Sequence, residues 1–267
     1  DLTPPSCAPP LDLVDGVAAP PFFSFPGAVA ASWACVDNES AVEMVLFSPY
    51  ASGLPLRAAP AAHAGGVGAA SLGAAPQQGA TYSSCVVAVN GAGLASEPAC
   101  STGTAYEVTP PHIGAVAVAD GAVFARPSAA QPLCFVWSGV RDDESAVVAM
   151  AAQLMRVVGD GLAPALGAAV ALAPPNATGV WCVGGNESAA LTEGQTYVLE
   201  LSATNGAGVT ASDESGGVTI DRSPPTAGSA SLRLLYPAGF DSQPGFPGAV
   251  TGAALRVAID GFEDDDE

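Results

Sequence analysis

The chain has 267 residues, of which 49% are hydrophobic but only 6% aromatic, with 24 Pro and 31 Gly. Proline spread along the whole length excludes long helices, the lack of a Gly-X-Y period excludes collagen, and the scarcity of large side chains argues for several small strand-built cores. The 26 acids against 7 bases give a net charge of −19; such a surface repels nucleic-acid phosphates and anionic lipid, and suits divalent cations or a basic partner.

The first landmark is Thr3-Pro4-Pro5, which opens the chain in mid-motif. Phe22-Phe23-Ser24-Phe25 is the best candidate for an exposed aromatic patch; the competing reading is an edge strand or a contact with a neighbouring module. Trp33-Ala34-Cys35-Val36 then runs as a strand into the acidic turn Asp37-Asn38-Glu39-Ser40. His63 and Gly65-Gly66-Val67-Gly68 read as an Ala/Gly loop and a turn. Thr81 and Tyr82 enter a late strand that ends at Asn90-Gly91-Ala92-Gly93, a turn signal because Asn and Gly tolerate positive φ. Thr109-Pro110-Pro111 then starts the pattern again. Leu133, Phe135 and Trp137 share a face at period 2, and an acidic turn, Arg141-Asp142-Asp143-Glu144-Ser145, follows. Residues 146–158 are ambiguous, because Met150, Leu154, Val157 and Val158 also suit a helix; the repeat context makes this segment a strand. Gly159-Asp160-Gly161 is a further turn.

The second copy repeats the first in order. Gly79-Ala80-Thr81-Tyr82 returns as Gly194-Gln195-Thr196-Tyr197, and Asn90-Gly91-Ala92-Gly93 as Asn205-Gly206-Ala207-Gly208, each 115 residues on. A third copy begins at Ser223-Pro224-Pro225 and reaches its acidic turn, Asp264-Asp265-Asp266, just before the sequence given stops. The organisation expected is a β-sandwich module over 1–107, a second over 108–222, and the first strands of an incomplete third over 223–267, read as part of something longer.

An early-strand Trp, a D-x-E-S turn, G-x-T-Y entering a late strand, a closing N-G-A-G and a T-P-P linker together resemble the fibronectin type III and Ig-like modules of large extracellular proteins, over nearly the whole chain. The resemblance implies an all-β fold of tandem sandwiches in which Trp33, Trp137, Tyr82 and Tyr197 are structural. The Ala-rich, Lys-free, Pro-Pro-containing setting is similar to that of green-algal flagellar surface glycoproteins, in which Pro9-Pro10, Pro20-Pro21 and Pro174-Pro175 would be open to hydroxylation.

Six cysteines are present, Cys7, Cys35, Cys85, Cys100, Cys134 and Cys182. Aligning the copies sets Cys85 and Cys100 against Glu200 and Ser215, Cys134 against Ala30, Cys182 against Val67 if no gap intervenes, Cys7 against Ile113 and Cys35 against Gly139. Cysteines therefore vanish in pairs, which predicts bridges 7–35, 85–100 and 134–182. The rival inter-sheet bridge 35–85 is disfavoured because Cys85 lies out of phase with Tyr82. Without a C-x-x-C, zinc and redox sites are not expected. Three of the five Asn, at Asn38, Asn176 and Asn186, lie in N-x-[ST] sequons, all placed in loops, with Asn38 crowded by its acidic turn. Disulfides and N-linked glycans place the chain outside the cell, secreted or on a cell or flagellar surface.

Nothing points to catalysis. His63 and His112 lack a G-x-S-x-G or a partnered nucleophile, and the Gly-rich fragments lack a Walker Lys. The candidate ligand site is the set of acidic turns: Asp37 with Glu39, and above all Asp142, Asp143 and Glu144, could coordinate Ca²⁺. The favoured reading is that these acids cap their turns. The expected function is structural: repeated modules that build or coat an extracellular filament or surface through self-association or contact with other extracellular glycoproteins, with no nucleic acid and no membrane insertion in this segment. The alternative is an adhesion or carbohydrate-binding receptor ectodomain.

Overall fold

The computed structural model describes residues 1–25, 28–73, 75–172 and 176–224, and the backbone of two further strands, Ser229–Leu235 and Ala254–Asp260. The first set of strands is β1 (Ser6–Cys7), β2 (Leu11–Val14), β3 (Val17–Ala18), β4 (Phe22–Phe23), β5 (Val29–Val36), β6 (Val42–Ala51), β7 (Leu54–Pro55), β8 (Ala61–Ala64), β9 (Val67–Ser71), β10 (Thr81–Asn90), β11 (Ala99–Cys100) and β12 (Thr104–Tyr106). The second is β13 (Ala115–Val118), β14 (Phe124–Ala125), β15 (Cys134–Ser138), β16 (Val147–Val158), β17 (Gly161–Pro164), β18 (Val170–Leu172), β19 (Gly179–Cys182), β20 (Thr196–Asn205), β21 (Thr210–Glu214) and β22 (Val218–Ile220), with one short helix, α1 (Gly185–Ala189), before β20. β23 (Ser229–Leu235) and β24 (Ala254–Asp260) pair antiparallel.

Each set forms two facing sheets. In the first, β5 pairs with β1, β2 and β9, while β4, β12, β10, β6 and β7 run in that order in the other sheet, with β11 on β10 and β8 on β6. The second repeats this plan: β15 pairs with β13 and β19, opposite β14, β22, β20, β16 and β17. In both, an early strand pairs parallel with the last one, Phe22–Phe23 with Ala105–Tyr106 and Phe124–Ala125 with Thr219–Ile220, so the chain changes sheets near its start.

Alternation builds the cores. Along β10, Tyr82, Ser84, Val86, Ala88 and Asn90 are buried and the residues between them are less so. Trp33 stacks on Phe47 at 5.3 Å between ring centroids, in a cluster that also holds Phe23, Val45 and Leu72. In β16, Met150, Ala152 and Leu154 are all buried. Met150 and Leu154 alone fit either period, but Ala152 between them fits only a strand. The segment over 146–158 is thus a strand, paired with β20, β17 and β18.

The three bridges join Cys7 to Cys35, Cys85 to Cys100 and Cys134 to Cys182, each between residues directly opposite on neighbouring strands of one sheet. Loops of 28, 15 and 48 residues correspond to roughly 3–4 kcal/mol of stabilisation each by loop-closure entropy. Two details of the alignment are corrected by register. Ala30 faces Ser71 as Cys134 faces Cys182, so Cys182 corresponds to Ser71 and not to Val67; the loop before it differs in length between copies. Cys85 faces Cys100 as Glu200 faces Glu214, so the counterpart of Cys100 is Glu214, not Ser215.

The second sandwich therefore carries two carboxylates where the first carries a disulfide. Like charges directly opposite are destabilising. The double substitution Glu200→Cys with Glu214→Cys is expected to form a bridge and stabilise the second sandwich by about 3 kcal/mol. Denaturant melts with and without reductant check this; equal midpoints would show that the pair does not close.

Other placements differ from expectation. His63 lies in strand β8, packed edge-on to Trp33 and Phe47, because period-2 alternation carries it inward from an Ala-rich segment with no other bulk. Gly68 is in β9, not in a turn, and sits opposite Trp33. The Phe22–Phe25 patch is not an open platform: Phe23 is in the core against Tyr106, and Phe25 packs edge-to-face on Phe23 while remaining half-exposed. The edge-strand reading holds, since β4 is the strand that pairs with β12.

Candidate functional site

The features that recur most closely are polar and gather where the Thr-Pro-Pro segment leads into each sandwich. Asn205, at the end of β20, is fully buried. Its Oδ1 accepts the backbone N–H of Ala207 and Val209, at 3.1 and 2.9 Å, closing the Asn-Gly-Ala-Gly turn. Its Nδ2 reaches three oxygens: Glu107 Oε1 at 2.9 Å, the Thr109 carbonyl at 3.0 Å and Asp142 Oδ2 at 3.2 Å. One side chain thus ties together the exit of the first sandwich, the Thr-Pro-Pro linker and the acidic turn of the second.

The first copy has the same hub. Asn90 Oδ1 accepts from Ala92 and Leu94, and Nδ2 donates to Asp1 Oδ2, the Thr3 carbonyl and Asp37 Oδ2. Asp1, Glu107 and Asp221 all stand two residues before their Thr or Ser of the linker motif.

The acidic turns serve this hub. Asp37 Oδ1 accepts the N–H of Glu39 and Ser40, and Asp142 Oδ1 accepts those of Glu144 and Ser145. The Ser40 N–H holds the Asp37 carboxyl below its ordinary pKa, with help from Asn90. Burial pulls Asp142 upward, but hydrogen bonds from Ser145, Asn205 and Glu144 outweigh it and leave a net lowering. The turn-cap reading thus describes what these acids do here, and Asp143 is exposed beside Arg141 at 3.6 Å. Among the described residues, no group of three or more His, Cys, Asp or Glu is arranged to hold a metal. The third turn, Asp264-Asp265-Asp266, lies outside the described residues, as do Pro174 and Pro175.

A second device clamps the linker from the other side. Tyr82 OH accepts the Gln77 N–H at 2.9 Å and donates to the Ala75 carbonyl, fixing the loop before β10. That loop presents Gln78, whose Oε1 accepts the Val108 N–H at 2.6 Å and whose Nε2 donates to Thr109 Oγ1 and to both oxygens of Glu144. Gln78 therefore joins the first sandwich, the linker and the second sandwich's acidic turn. In the second copy, Tyr197 OH accepts from Thr192, and the adjacent Glu193 accepts the N–H of Arg222 and Ser223. Arg222 also donates to the Leu191 and Ser188 carbonyls just after and within α1. The linker backbone is itself paired, with His112 and Arg141 exchanging N–H···O bonds at 2.8 and 3.0 Å.

The sequence read Asn90 and Asn205 only as turn formers. The available signal was positional: an Asn, an acid in the D-x-E-S turn and an acid two residues before the linker recur together. Gln78 and Glu193 carried no motif.

The sequon asparagines Asn38, Asn176 and Asn186 are all exposed. Around Asn38, Glu39 accepts the Leu2 N–H and the Ser40 hydroxyl donates to Asp1 and Asp37. Asn186 lies in α1 and not in a loop, and Ser188 of its sequon is buried, bonding the Leu133 N–H and the Val183 carbonyl.

No protein-family model matches the chain, and no curated protein matches it in sequence. Solved structures do resemble it. The FN1–FN3 domains of chicken CNTN1 align at 16% identity and a TM-score of 0.27, covering 86% of this chain and 72% of that one. A 1.5-MDa bacterial ice-binding adhesin aligns at 16% identity and a TM-score of 0.43, covering 87% and 70%. A Ca²⁺-stabilized adhesin of an Antarctic bacterium aligns at 16% identity and a TM-score of 0.33, covering 77% and 46%. The fold is all-β, with two facing sheets in each of the two sandwiches. No helix among the described residues is long and apolar enough to cross a membrane.

Proposed function

We propose that the chain is a stretch of an extracellular structural glycoprotein, in which successive β-sandwich modules, divided near 107/108 and 222/223, are locked end to end to build or coat a filament or a cell or flagellar surface. The observation that carries this reading is the junction between the two sandwiches, where the buried Asn205 and Gln78 hold the linker from both sides, together with the recurrence of its parts: an Asn90 hub on the Thr3 segment and Glu193 on the segment at Arg222 and Ser223. A flexible receptor stalk has no need of a linker fixed from both sides, whereas a strut does. The three disulfides and three exposed sequons suit the secretory pathway. The module style and composition support a filament of the mastigoneme type. The chemistry needed is self-association or contact with other extracellular glycoproteins, not turnover of a substrate.

Small-angle scattering of the full chain tests the strut. The wild type is expected to give a narrow distribution of module orientations, and Gln78→Gly with Glu107→Ala a broad one. A wild-type distribution as broad as the variant's would overturn the reading. Glycans are checked separately: enzymatic deglycosylation of secreted chain should lower its mass, and Asn→Gln at 38, 176 or 186 should each remove one step.

A further inference from the structure

Glu107 is 1% exposed, and its Oε2 has no hydrogen-bond partner among the described residues. Its backbone N–H bonds the Phe23 carbonyl and so belongs to the first sandwich, while its Oε1 accepts from Asn205 of the second. The Asn205 orientation is fixed by the two N–H groups on its Oδ1, so it is the NH₂ that faces the acids. Two amide hydrogens there serve three oxygens, on Glu107, Thr109 and Asp142, and a further carboxylate oxygen is left bare. A buried acceptor without a donor is costly. The position a cation would take among the three oxygens is held by the amide nitrogen. A proton on Glu107 needs no added volume and supplies the missing donor.

We propose that Glu107 carries a proton shared with Asp142 in the folded junction, making the contact between the two sandwiches a latch that is tight in acid and loosens as pH rises. The charged groups acting on Glu107 are Asp142 and Glu144, both from the turn after β15; from β20 it meets the neutral Asn205, and from the same turn the neutral Ser145. Burial raises the Glu107 pKa above its ordinary value, the nearby Ser145 hydroxyl opposes this in part, and the Asp142 and Glu144 charges add to the rise. Because the folded pKa is the higher one, the stabilisation is complete below the ordinary Glu value and is lost as pH rises through the raised value. The lowered Asp142 pKa acts in the opposite sense, but only in more acid solution, below its ordinary value of 3.8. The first sandwich supplies an internal control. There Asp1 takes the place of Glu107, and its Oδ2 accepts from both Asn90 and Ser40.

Hydrogen exchange on the full chain, from about pH 5 to 8 and corrected for intrinsic rates, tests the latch. Protection of the Ala207 and Val209 N–H groups is expected to fall about tenfold per pH unit until the raised pKa is passed, as one linked proton requires. Glu107→Gln should abolish the slope, and Ala92 and Leu94 should show none. A flat wild-type profile, or a slope that survives Glu107→Gln, overturns the proposal. If that variant does not fold, carboxyl ¹³C titration of wild-type Glu107 decides; an ordinary or lower pKa overturns it. The same exchange series run with chelator and with added Ca²⁺ separates a cation: protection that follows Ca²⁺ and not pH overturns the proton.

Discussion

Asn205→Ala is expected to destabilise the second sandwich by about 3–5 kcal/mol. The substitution leaves the Ala207 and Val209 N–H groups without their acceptor and Glu107 Oε1 and Asp142 Oδ2 without their donor. Each buried group so stranded costs about 1–3 kcal/mol, discounted for relaxation and water entry. Urea melts monitored by the fluorescence of Trp137 and Trp181 measure the loss. Asn205→Asp sharpens the test. It keeps an oxygen for the turn but sets a third carboxyl against Glu107 and Asp142. Its defect should be larger near pH 7 than near pH 4, since the new acid's pKa is raised and its penalty grows with ionisation. Asn90→Ala should weaken the first sandwich in the same way. A cost below about 1 kcal/mol for Asn205→Ala would show that the hub is not a structural centre.

Gly179→Ala is expected to cost about 3 kcal/mol, a large effect for one added methyl. A Cβ at this position would lie 2.2 Å from Trp137 Cζ2, because Gly179 is paired directly opposite Trp137 on the neighbouring strand and the indole lies against it. The ring must shift, and with it the bond from Trp137 Nε1 to the Asn176 carbonyl. Gly68, opposite Trp33, repeats the arrangement at 2.9 Å, so Gly68→Ala should be milder. Gly216→Ala is the control, since its Cβ would meet nothing within 4 Å, and it should stay within about 0.5 kcal/mol of wild type. Trp137→Leu with Gly179→Ala should cost less than the two single effects combined, because the smaller side chain removes the clash. If Gly179→Ala melts with Gly216→Ala, the close approach of strand and indole is wrong.

The two predictions mark where sequence reading stops. Trp137 was legible as a core residue from its period-2 neighbours Leu133 and Phe135, and all three are buried. Gly179 was not, because a glycine required by a tryptophan 42 residues away carries no local pattern. Likewise Tyr82 and Tyr197 could be read as structural, but not that their hydroxyls brace the loops bearing Gln78 and Glu193. Asn186 was placed in a loop because a helix of five residues is too short to show periodicity.

What the sequence determined by itself was the strand plan, its repetition and the three cysteine pairs. Each of these rests on alternation or on comparison of two copies, and both are properties of order along the chain. The tertiary structure alone decided the register that sets Glu214 opposite Glu200, the inward turn of Asp37 and Asp142, and the meeting of Glu107, Thr109, Asp142 and Asn205. Those four residues span 98 positions of sequence separation. Their chemistry exists only because two strand ends and a linker converge, and the burial that brings them together is what leaves Glu107 one donor short.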